Sequence, residues 1–124
     1  MSRRPAAGTA KAGTRQVFFL DLKDDPQSIA DYEAWHAAGR VPAPVIRSIR
    51  QAGIASMQIF RSGNRLVMIT AVDEDASAAD RGDQDTDVAA WEALMDDFQQ
   101  RLPWAAAGQK WVPATRIFDL EEQG

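Results

Sequence analysis

Residues 15–25, RQVFFLDLKDD, are β-branched and aromatic and run into charge before Pro26, which predicts a first strand. Phe18, Leu20 and Leu22 fall on one face and Val17, Phe19 and Asp21 on the other, so both faces carry apolar side chains. The period then changes. Ile29, Tyr32 and His36 recur at helical spacing with Trp35 alongside, an Asp precedes Pro26 and Gly39 offers a stop, predicting a helix over DDPQSIADYEAWHAAG. Pro42 and Pro44 interrupt it, and PVIRSIRQAG predicts a second short helix with arginines on its outer face. IASMQIF (54–60) and RLVMITAV (65–72) read as strands joined across RSGNR, where Gly63-Asn64 suits a two-residue hairpin turn. DEDASAADRGDQD (73–85) is acidic and has no period, so it is expected to be a loop. TDVAAWEALMDDFQQRLP (86–103) predicts a third helix, capped by Thr86 or Asp87, with Val88, Trp91, Leu94 or Met95, and Phe98 on its apolar face. WVPATRIFDLEE closes as a last strand, and Pro113 places at least that residue on an edge.

The order is β-α-α-β-β-α-β. With the two early helices taken as one broken crossover, it matches an α+β, ferredoxin-like plan with a four-stranded antiparallel sheet. Helices on one face leave the other sheet face bare, yet no strand alternates cleanly between apolar and polar residues. Self-association through that face is the simplest way to cover it, so a homodimer (a dimeric α+β barrel) is expected. Residues 1–14 are read as a disordered arm and 15–122 as a single domain.

Composition narrows the chemistry. A chain of 124 residues, 45% hydrophobic and 26% charged, is that of an ordinary soluble globule. Cys is absent, which excludes thiol catalysis, disulfides and thiolate metal sites and fits a cytoplasmic setting. Residues 1–15 hold four of the 14 basic residues and no acid, leaving 10 bases against 18 acids in the rest. An acidic body argues against nucleic acid as a partner, and no apolar run is long enough for a membrane. No Gly-rich phosphate loop, dinucleotide fingerprint, metal-spaced His cluster or nucleophile elbow is present, so neither a cofactor nor a metal is expected.

What remains is an aromatic and polar set: Tyr32, Trp35, His36, Trp91, Trp104 and Trp111. His36 is the only histidine and Tyr32 the only tyrosine. Four residues apart on a helix, phenol and imidazole can serve one small ligand, and imidazoles exchange protons near neutral pH. Indoles stack on the C–H faces of sugars, although they also fill cores.

These pieces, taken in order, resemble the L-rhamnose mutarotase family. The resemblance runs over roughly residues 15–120: VFFLDLK, then YEAWH, a proline-bearing turn, IRQAGI, IFRSGNRLVMI, WEALM and LPWAAAGQKWVPATRIFDL. It implies a small dimeric α+β isomerase that interconverts the α and β anomers of a 6-deoxy-L-hexose. It also implies His36 as proton donor, Tyr32 as a sugar contact, and Trp91 in the sugar-binding region; beside that role Tyr32 is itself a catalytic candidate. Met57 stands where the family often has a tyrosine, Glu92 where it has a second aromatic, and RVPAPV where it has a Trp-Pro-Glu turn. L-fucose is therefore as good a candidate substrate as L-rhamnose. Met57 or Phe19 would suit the sugar's methyl group, and Trp35 joins Trp91 as a candidate sugar contact. The base that takes the anomeric proton stays open between Tyr32, Asp21 and water. Two other readings compete: a haem-binding or monooxygenase-like enzyme with His36 as axial ligand, and a non-catalytic ligand-binding module.

Overall fold

The central strand, β1 (Arg15–Leu22), is built around β-branched Val17 and aromatic Phe18 and Phe19 and pairs on both sides. The computed structural model describes residues 15–72 and 86–124; the expected arm and the expected acidic loop lie outside the described residues. β1 leads into α1 (Pro26–Trp35), whose start is fixed by Asp25: its carboxylate accepts from the Ser28 N–H at 2.8 Å, and Pro26 fills the first turn. The helix stops at His36, whose backbone has left helical geometry at φ −98° and ψ 4°. Gly39 then takes φ +81°, a left-handed conformation that glycine adopts at little cost. Pro42 caps α2 (Ala43–Gln51), so the crossover is broken as the prolines predict.

β2 (Ile54–Ser62) and β3 (Arg65–Val72) form the expected hairpin. At its tip only Gly63 has positive φ, +61°. Asn64 contributes differently: its side-chain amide donates to the Leu22 carbonyl at 2.9 Å, while its own carbonyl accepts from the Leu22 N–H at 2.7 Å. The hairpin is thereby tied to the end of β1. α3 (Thr86–Asp96) follows, then β4 (Gln99–Gln100) and β5 (Val112–Pro113), both paired with β1. All pairings are antiparallel and the path is β2-β3-β1-β4, with β5 also on β1. This is the ferredoxin-like order, its fourth position split into two short pieces.

Two expectations are corrected. The third helix ends at Asp96 instead of Pro103, because Gln99 and Gln100 enter the ladder opposite Leu22 and Asp21. The last strand is only Val112–Pro113; after it the Ala114 N–H donates to the Val17 carbonyl at 2.7 Å, and residues 115–119 have no ladder partner among the described residues before a 3₁₀ turn at Leu120–Gln123. Ile117, Phe118 and Leu120 stand 93%, 62% and 73% exposed.

Strand alternation sorts the side chains as the sequence predicts. Leu20, Leu22 and Leu66 are almost fully buried, each worth about 1.5–3 kcal/mol. Leu22 and Leu66 pack with Tyr32, Val45, Trp91 and Met95 into one core between sheet and helices. On the opposite face, Phe60, Val67, Phe19 and Val112 align in a single row across four strands. Phe60 there is half exposed. Among the described residues no helix is long and apolar enough to cross a membrane.

Candidate active site

The helical spacing of α1 turns Tyr32 and His36 the same way, and the break after Trp35 leaves the imidazole at the helix end. Their rings lie 4.3 Å apart. α3 presents Val88, Trp91, Glu92 and Met95, an i, i+3, i+4, i+7 stripe, and the Trp91 ring meets His36 edge-on at 5.4 Å. Together with Val41 and the inner side of α2 (Val45, Ile46, Ser48, Ile49), the inner sheet face (Met57, Ile59, Met68), Gln99 and Trp111, they enclose a cavity of about 350 Å³. That volume lies within the roughly 300–1,000 Å³ of small-molecule sites, and a few polar groups on apolar walls are the usual recipe. A larger groove, about 720 Å³, runs along the outside of α2 between Gly39 and Gln51. It is open to solvent and carries Arg47 and Arg50 but no group suited to proton exchange at neutral pH.

His36 has a defined tautomer. Its Nδ1 lies 2.8 Å from the Tyr32 backbone carbonyl, which can only accept, so Nδ1 carries the proton. Nε2 is the ring nitrogen left for a ligand: a lone pair in the neutral ring, a donor in the imidazolium. Tyr32 is buried, and burial pushes its phenol pKa upward. The Gln99 amide at 3.4 Å opposes the shift without cancelling it. The phenol is therefore a neutral hydrogen-bonding group and a weak base at neutral pH. The Gln99 Oε1 beside it is buried without a hydrogen-bond partner among the described residues.

The structure brings Tyr32, His36, Trp91 and Met57 to one cavity, together with Trp111. Trp35 is not in the lining: it packs edge-on against Trp91 at 6.1 Å, beneath the Arg40 guanidinium at 5.5 Å. Trp104 is also elsewhere, under Arg65 at 5.4 Å. Asp21 and Phe19 lie on the other sheet face, and Asp21 is held by Arg65 at 2.8 and 3.2 Å. Sequence reasoning missed Glu92 and Gln99. Glu92 was legible as the one charged position in the stripe 88-91-92-95; Gln99 was hidden by the overextended third helix.

The family described as L-rhamnose mutarotase matches residues 15–120. A protein named L-fucose mutarotase from Xanthomonas campestris pv. campestris is 50% identical over 111 residues, spanning 87% of this chain and 89% of that protein. Among solved structures, an L-rhamnose mutarotase from Formosa agariphila superposes with a TM-score of 0.61 over 86% of this chain and 97% of its own; at 18% identity that likeness supports the fold.

Proposed function

The chain belongs to the L-rhamnose mutarotase family, and from that premise we propose that its cavity interconverts the α and β anomers of a 6-deoxy-L-hexose, L-fucose ahead of L-rhamnose. The order of substrates follows the relatives: half the residues are shared with a protein named for L-fucose, and fewer than a fifth with the solved one named for L-rhamnose.

Anomer exchange opens a cyclic hemiacetal. The ring C–O bond breaks while an acid protonates the ring oxygen and a base takes the proton of the anomeric hydroxyl. Rotation of the freed carbonyl and closure on its other face give the second anomer. The observation that carries this reading is the placement of His36, with Nδ1 fixed on the Tyr32 carbonyl and the ring in the wall of a sugar-sized cavity. As imidazolium it donates from Nε2 to the ring oxygen and recovers the proton on closure. Such positioned proton transfer contributes about 10²–10⁴-fold. The Tyr32 hydroxyl holds a sugar hydroxyl, Trp91 supplies a stacking wall, and Met57 takes the apolar methyl.

The working form is a cytoplasmic homodimer joined through the open sheet face, supported by the apolar row of Phe60, Val67 and Phe19, in which Phe60 is half exposed. Saturation-transfer NMR on L-fucose, L-rhamnose and D-glucose tests the assignment. Exchange is expected to be accelerated most for L-fucose, and equal rates with and without protein on all three would overturn it.

A further inference from the structure

Ring opening needs a base as well as an acid, and the cavity offers few. Tyr32 is disfavoured by its raised pKa, and Asp21 lies on the other sheet face in an ion pair with Arg65. α2 and the sheet turn no ionisable side chain into the lining. Among the described lining residues one carboxylate is left, Glu92.

Its setting is specific. Glu92 occupies the inward stripe of α3 directly after Trp91, while its side chain is 58% exposed, which places it at the cavity mouth. The Lys110 ammonium binds Glu92 Oε1 at 3.0 Å and Asp96 Oδ1, one turn on, at 2.7 Å. Burial pulls the Lys110 pKa down, but the Asp96 and Glu92 hydrogen bonds outweigh it, so the ammonium stays charged. Lys110 thus braces α3 to the segment carrying Trp111, and Oε2 has no hydrogen-bond partner among the described residues.

We propose that Glu92 is the base that works opposite His36, an inference that rests on the mutarotase reading above. The Glu92 carboxylate takes the anomeric O1 proton. The O1–H electron pair becomes the C1=O1 π bond, and the C1–O5 pair leaves to O5, which receives the proton from His36 Nε2. On closure O5 returns its proton to Nε2 and attacks the opposite face of C1, while O1 recovers the proton from Glu92. The pair holds the same number of protons at the start and the end, so no co-reactant is needed. The charged or titratable groups around Glu92 are Lys110, Asp96 through that lysine, and Tyr32 and His36 in the same cavity lining.

The test is L-fucose anomer exchange by saturation-transfer NMR across pH, on wild type, Glu92→Gln and Glu92→Ala, with circular dichroism confirming that each variant is folded. Glu92→Gln is expected to lower kcat about 10²-fold or more with KM changed by less than about threefold. Added formate is expected to restore part of the Glu92→Ala rate. A folded Glu92→Gln with wild-type kcat, or with a raised KM alone, would overturn the inference while leaving the mutarotase reading intact. A wild type silent on every sugar would overturn both.

Discussion

At the scale of single residues, two groups can be read without interference because each is the only one of its kind in the chain. The Tyr32 carbonyl accepts from His36 Nδ1, so the neutral imidazole is the Nδ1–H tautomer with a free pair on Nε2. Long-range proton–nitrogen NMR of the lone histidine should show a protonated Nδ1 and an unprotonated Nε2 in the neutral ring; the reverse pattern would contradict the Nδ1 hydrogen bond to the Tyr32 carbonyl. Tyr32 supplies the second reading. Burial raises its folded pKa above the ordinary phenol value of about 10, whereas the unfolded phenol titrates near that value. The native state therefore holds this proton more tightly, so the contribution to stability is full below the unfolded pKa and is lost as pH rises through the folded one. Ultraviolet titration should show tyrosinate appearing above pH 10, together with declining stability; a midpoint at or below 10 would contradict the burial.

At the scale of elements, the turn between β2 and β3 depends on one dihedral angle. Gly63 has φ +61° and open space where a Cβ would stand, so only the backbone resists substitution. Gly63→Ala should cost about 1–2 kcal/mol in denaturant unfolding and leave anomer exchange unchanged. An unchanged midpoint would show that the turn is not a constraint. Elements with local causes were legible in the sequence: alternation in β1, the Asp25 and Pro26 start of α1, the proline break, the Gly63-Asn64 hairpin. Those that depend on distant partners were not. Nothing between Asp97 and Arg101 forbids helix, and only ladder bonds to Leu22 and Asp21 pull Gln99 and Gln100 into the sheet. Residues 115–119 look like strand but have no ladder partner among the described residues. The site divides the same way. Tyr32 and His36 follow from one helical register, whereas Glu92 becomes meaningful once Lys110, 18 residues later, is seen to hold it.

At the scale of the whole molecule, helices cover one sheet face and leave Phe60, Val67 and Phe19 in a row on the other, Phe60 51% exposed and the other two half-buried, while Val112 at the end of the row is already buried within the chain. An apolar row of this kind is best covered by a second copy. Sedimentation should give twice the chain mass, and Phe60→Asp should shift it toward the monomer; a wild-type monomer at micromolar concentration would contradict the dimer. The catalytic account rests on the other face, where one imidazole is asked to supply most of the rate. The most direct measurement compares wild type and His36→Asn in L-fucose anomer exchange by saturation-transfer NMR. Wild type should exchange the anomers well above the uncatalysed rate and His36→Asn should lose about 10²-fold or more of that. A folded His36→Asn that keeps the wild-type rate would contradict the mechanism.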